Sequence, residues 1–268
     1  MKRFSFFKLD RCAGCAIRAD QVSEYLENAR VNPTEGYEND VCIYSVIKPP
    51  EDHPDNCYWD MNDIFPFADW AMENPEVKII TLSNPARDYV ASVLGRNDII
   101  CIPQHHCNFD REVRERDEVR TAGIVGGLRS YEWDRIFLRH YLEDMGIEYI
   151  ETLHPRNRKS VVDFFKRVDI QIVFRPRRSR SKSAGMLSSS LKLANACSFG
   201  VPTVSLPERA FVDEFDGCFL SVNSHDELLQ GIKKLKDDPI FYKELSEKAR
   251  ERAEKYHIEN IVKLYQQL

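Results

Sequence analysis

Residues 188–205 read SSSLKLANACSFGVPTVS, and this order of residues sets a helix against a following strand. Serine oxygens accept from the first free N–H groups of a helix, so the serine run marks a start. Gly200 supplies the residue that ends a helix without steric penalty, and a short strand follows Val201-Pro202. A helix N-terminus carries unpaired N–H groups and positive partial charge. Ser189 and Ser190, with Lys192 in the first turn, therefore read as an anion site suited to a diphosphate. The same residues also read as a plain capped helix with one exposed lysine.

Outward from this stretch, β-rich runs alternate with helical patterns along the whole chain, which is the mark of an α/β protein with parallel sheets. In the first half the expected strands are 3–8, 40–47, 77–82 and 98–102, with helices near 16–29, 60–73 and 86–94. In the second half the strands are 122–126, 148–152, 170–174, 203–206 and 218–222. The helices there fall near 131–145, 161–167, 190–199 and 225–236. Between the two series lies a charged stretch with little apolar periodicity, which places a hinge near 110–120. The organisation expected is an N-terminal Rossmann-like domain over 1–116 and a second over 117–250. A terminal helix, 251–268, is placed to pack back on the first domain.

The 268 residues are 43% apolar and 30% charged, which is globular composition. A net charge of −5 gives no global attraction to nucleic acid or anionic lipid. No uncharged apolar run reaches the roughly 18–20 residues a bilayer span needs, so the expectation is a cytoplasmic protein without a transmembrane segment. Eight cysteines scattered among strands and helices read as thiols of a reducing compartment.

The stretch LKLANACSFGVPTVSLPERAFVDEF, 191–215, resembles the donor-binding segment of GT-B fold glycosyltransferases, in which a helix ending A-x-G-x-P-V-V precedes a strand. Three other stretches are similar to parts of that family. GIVGGLRSYEWDRIFLRHYLEDMGIEYI, 123–150, resembles the glycine-containing opening of its C-terminal domain, and DIICIPQHHCNF, 98–109, the close of its N-terminal domain. The run 223–256 resembles its final helices. Many retaining members carry Glu where Asn195 stands here, and another Glu eight positions earlier, where Leu187 stands. An amide at Asn195 can still hydrogen-bond a hydroxyl but brings no negative charge, so both stereochemical outcomes stay open. The segment is closer to a subgroup in which Lys182 or Lys192 would meet phosphate.

The resemblance implies two Rossmann-like domains with parallel sheets facing a cleft. It implies a nucleotide-diphosphate sugar as donor substrate in the C-terminal domain, and a carbohydrate, lipid-linked or other hydroxyl acceptor in the N-terminal one. Neither metal nor further cofactor is expected, because cations and helix N-termini can stabilise the departing diphosphate. Two other readings stay beside it: a non-catalytic GT-B-like binding protein, and a glycosyltransferase acting on nucleic acid.

Candidate donor-side residues follow. Gly126 and Gly127, with Gly123, stand where strand passes to helix and would let backbone approach a pyrophosphate. Arg129, Arg175 and Lys182 are candidates to neutralise it. Arg175, Arg177, Arg178, Arg180 and Lys182 make a basic loop at a strand's carboxyl end, fit for a diphosphate, a phosphorylated acceptor or a nucleic-acid backbone. Glu208, and after it Glu214, are acidic groups the family pattern turns toward the donor. A general base for inverting transfer is expected in the first half, with Asp10 first, then Asp60, Asp63 and His105. Cys12-Ala-Gly-Cys15 is a lone CxxC, open to three readings. It is half of a zinc site with His53, Cys57, His105, His106 or Cys107, or a redox pair, or a small-residue loop at the acceptor site.

Overall fold

The computed structural model describes residues 2–10, 12–62, 67–114, 118–176 and 185–268. The chain divides into two compact units. The first comprises Met1–His105, Lys182–Ser190 and Ile258–Leu268, and the second His106–Ser181 and Leu191–His257.

The first unit opens with β1 (Phe4–Lys8) and a helical stretch over 13–23, α1, whose middle, Ala16–Asp20, is wound as π-helix. There follow β2 (Ala29–Val31), β3 (Val41–Ser45), β4 (Cys57–Asp60), α2 (Ala68–Glu73), β5 (Lys78–Thr81), α3 (Asn84–Leu94) and β6 (Ile100–Cys101). These six strands form one parallel sheet in the order β2-β1-β3-β4-β5-β6. β3 and β4 are buried at every position, as strands covered on both faces must be.

Two expectations are corrected here. The helix placed at 16–29 ends at Ser23, and residues 29–31 extend the sheet as β2. Residues 57–60 are β4, where the sequence pattern predicts a helix over 60–73. Asp60 ends that strand and the described helix begins at Ala68. The core of this unit gathers Cys42, Tyr44, Trp59, Phe67, Ile79, Ala86, Val90 and Leu187. Ser83 caps α3 by accepting from Ala86 N and also donates to Ser188 O at 2.9 Å, which ties the serine run into the first unit.

The second unit contains β7 (Thr121–Gly126), α4 (Arg135–Asp144), β8 (Glu148–Leu153), α5 (Arg158–Phe165), β9 (Ile170–Val173) and α6 (Leu191–Ser198). It continues with β10 (Thr203–Ser205), α7 (Arg209–Phe215), β11 (Leu220–Ser221), α8 (His225–Asp237) and α9 (Pro239–Ala253). The strands are again all parallel, in the order β11-β10-β9-β7-β8. Residues 106–114 belong to this unit through backbone bonds. Cys107 N donates to Asn195 Oδ1 at 2.8 Å, Asn108 Nδ2 to Ser198 O at 2.9 Å and His106 N to Tyr256 O at 2.9 Å. Arg114 pairs with the buried Asp169 at 2.7 Å, whose other oxygen accepts from Thr121 N. The division thus falls at 105/106, ahead of the charged stretch at 110–120.

The last helix, α10 (Ile258–Gln266), returns to the first unit, where Tyr265 packs on Phe6 with ring centroids 5.8 Å apart. Among the described residues no helix is long and apolar enough to cross a membrane.

Candidate functional site

Each sheet has one place where the strand order reverses. In the second unit the chain runs from β7 to β8 and then crosses back to lay β9 on β7's other side. In the first it runs from β1 to β2 and then lays β3 on β1's other side. Loops leaving the carboxyl ends of two such strands diverge to opposite faces and leave a crevice there, where open α/β sheets bind ligands.

In the second unit, β7 ends on Gly126, whose φ of +118° suits only glycine. Lys192, from the first turn of α6, donates from Nζ to Val125 O at 2.7 Å and to Ser130 Oγ at 2.9 Å. A Cβ on Gly126 would stand 2.6 Å from that Nζ, so the ammonium occupies the space the missing side chain leaves. Gly127 is exposed and opens the short turn Leu128–Ser130, on which Arg129 is also exposed. His154, with φ +49°, closes the other side of Gly126 by donating its N–H to Gly126 O at 2.8 Å. The result is a half-buried cation at the β7/β9 crossing, beside accessible glycine backbone, an arrangement that attracts an anion.

Gly123 lies in mid-strand, where a Cβ would overlap the Ile150 carbonyl of β8; its glycine serves strand packing. Asn195 is buried and its side-chain oxygen holds Cys107 N, which fixes residues 106–109 to α6. Arg175 pairs through two N–H groups with Glu208, at 2.7 and 2.5 Å, so each neutralises the other. The guanidinium also lies 5.7 Å from the Phe211 ring centroid. Glu214 is buried on α7. Ser189 is half-buried and Ser190 buried, and both group with the first unit. Lys182, with the basic loop beyond Pro176, lies outside the described residues.

In the first unit Asp10 follows β1 with its side chain 92% exposed, 3.9 Å from Lys8 Nζ. Asp60 is different. It is fully buried and pairs with the Arg18 guanidinium at 2.6 Å, while Arg18 also donates to Ile102 O at 2.7 Å and Pro103 O at 3.0 Å. Burial pushes the Asp60 carboxyl up from its ordinary range, against the Arg18 charge that pulls it down. Asp60 is thus a structural ion-pair partner and out of reach of an acceptor. His105 is buried with Nε2 3.0 Å from Ile17 O, and Asp63 lies outside the described residues.

Sequence reasoning missed two residues at the β1/β3 crossing. Val46 directly follows β3 with φ +71°, a strained conformation for a β-branched residue. Asn62 has φ +52°, is 5% exposed, and its Nδ2 has no hydrogen-bond partner among the described residues. Gly14 closes this corner: a Cβ there would lie 3.6 Å from both Asn62 Oδ1 and Val46 Cγ2. Among the described residues no three His, Cys, Asp or Glu side chains gather to hold a metal ion.

No protein-family model matches the sequence, and no curated protein matches it. Solved structures do match. Anabaena Alr3699/HepE, determined with UDP and glucose, is 11% identical with a TM-score of 0.67 over 100% of this chain and 98% of its own. A glycosyltransferase from Rickettsia africae ESF-5 is 10% identical at a TM-score of 0.60, covering 99% of this chain and 97% of its own. The chain has the GT-B fold. AviGT4, a glycosyltransferase of avilamycin A biosynthesis, agrees over 99% of this chain and 96% of its own, at 11% identity and a TM-score of 0.56. At such identities the likeness is one of GT-B architecture, two all-parallel sheets with their helices.

Proposed function

We propose that this protein is a metal-independent glycosyltransferase that takes a nucleoside-diphosphate sugar in its second unit. The observation that carries the reading is Lys192, held at the β7/β9 crossing beside Gly126. There it can neutralise the departing diphosphate, with Ser130 Oγ and the exposed Gly127 backbone as further polar partners. A fixed ammonium supplies charge where leaving-group charge develops, so the step needs neither metal nor cofactor. That HepE was determined with UDP and with UDP-glucose supports a uridine nucleotide as the first donor to try.

Of the two described acidic residues expected to act as base, Asp10 and Asp60, Asp10 has the accessible carboxylate, beside a crossing point. It would take the proton of an acceptor hydroxyl brought to about 3 Å. Asp60 is committed to Arg18 and Glu208 to Arg175, so neither of these two carboxylates is free for chemistry. This favours, as a second reading, a GT-B-like protein that binds a nucleotide sugar without turning it over.

The experiment is to incubate the protein with UDP-glucose and other nucleotide sugars, in EDTA, with and without hydroxyl acceptors, and to follow release of the nucleoside diphosphate. Release from one donor is expected, falling about 10²–10⁴-fold in Asp10→Asn. A donor that binds and is never cleaved supports the second reading.

A further inference from the structure

The CxxC motif plays no part in the donor site, and the fold places it at the other crossing point. The loop leaving β1 carries Cys12 and Cys15, and Cys15 Sγ donates to Ser45 O at 3.7 Å, on the last residue of β3. Cys12 stands in the cap position with extended backbone, φ −105° and ψ 122°, and its sulfur accepts from Cys15 N at 3.4 Å. A cap side chain turned back on the third helical residue brings the Cys12 sulfur to the backbone N–H of Cys15, so the two side chains leave the same turn. Cys12 is half-buried and reachable, whereas Cys15 is fully buried. Burial, with the neighbouring Cys12 next, pushes the Cys15 thiol up to about 11, so it holds its proton until a partner sulfur is presented.

We propose that Cys12 and Cys15 form a reversible dithiol site whose oxidant is a low-molecular-weight disulfide. The Cys12 thiolate attacks one sulfur of the oxidant RSSR, forms a Cys12–S–S–R mixed disulfide and expels one thiolate. Cys15 then loses its proton to solvent and attacks the Cys12 sulfur, expelling the second thiolate and closing the Cys12–Cys15 disulfide. Two thiols are oxidised and one disulfide is reduced to two thiols, so electrons and protons balance. Disulfide formation asks for Cβ atoms about 3.5–4.5 Å apart, against about 5–6 Å for residues three apart on a helix, so closure draws the two cysteines towards one another. Closure takes Cys15 Sγ off Ser45 O, beside the strained Val46, so the oxidised form carries its change at the crossing point itself. None of this depends on the nucleotide reading, because the chemistry needs only the two sulfurs.

The test uses the full chain with oxidised glutathione, then rapid alkylation, intact mass and peptide mapping. In the wild type Cys12 and Cys15 should be joined in one peptide that dithiothreitol reopens. Cys15→Ser should trap glutathione on Cys12, and Cys12→Ser should leave Cys15 unmodified. Cys101, also incompletely buried but with no cysteine three residues away, serves as the internal reference. Recovery of Cys12 and Cys15 as free thiols under conditions that modify Cys101 would overturn the proposal. So would glutathione retained on wild-type Cys12, since the buried thiol would then have failed to resolve it.

Discussion

Two glycines of one strand show how much turns on a single residue. In GIVGG, Gly123 and Gly126 look alike, yet the first lets β7 lie against the Ile150 carbonyl and the second makes room for an ammonium. Gly126→Ala puts a methyl 2.6 Å from Lys192 Nζ at a φ of +118°, so it should cost about 1–3 kcal/mol of stability. Gly127→Ala meets nothing closer than His154 Cε1 at 3.9 Å and should stay within about 0.5 kcal/mol of wild type. Urea unfolding of the two variants checks this, and equal costs would contradict the docking of Lys192. The sequence made the glycine turn and Lys192 legible as an anion site, because helix starts and glycine turns are local patterns. It could not pair them, nor show that Asn195 and Glu208 are occupied by Cys107 N and Arg175, since those partners lie 88 and 33 positions away.

At the scale of elements, β4 was the hardest to read. CYWD is four residues with no turn signal before the MNDIF that follows, and a strand covered on both faces shows no alternation. Its placement beside β3 explains why Asp60 ends buried and why α1 carries an arginine inside the core. Arg18 sits on the π-wound part of α1 and joins three elements: Asp60 at the end of β4, the carbonyls after β6, and the Tyr265 ring of α10, 5.5 Å away. Removing one partner of such a buried pair leaves the other charge uncompensated, so Asp60→Asn and Arg18→Met should each cost about 3–5 kcal/mol. The double variant should cost less than the sum, though not zero, because the Ile102 and Pro103 carbonyls would still lack a donor. A double-mutant cycle in urea measures it, and strict additivity would mean the ion pair is not what holds these elements together.

For the molecule as a whole, alternation of strands and helices made the α/β class and the second unit's strand sequence readable, because each βα step is a local signal. Strand order is not local. That both sheets reverse, between β1 and β3 and between β7 and β9, emerges only when distant strands pair, and it is these reversals that mark where a ligand belongs. On the proposed reading the β7/β9 crossing binds a nucleoside diphosphate through Lys192. Calorimetric titration of UDP, GDP, dTDP and CMP into wild type and Lys192→Ala, in EDTA, tests it most directly. One diphosphate should bind the wild type, and bind Lys192→Ala at least about tenfold more weakly, a loss of about 1.4 kcal/mol. Equal affinity in the two proteins, or no binding of any nucleotide at millimolar concentration, would contradict it.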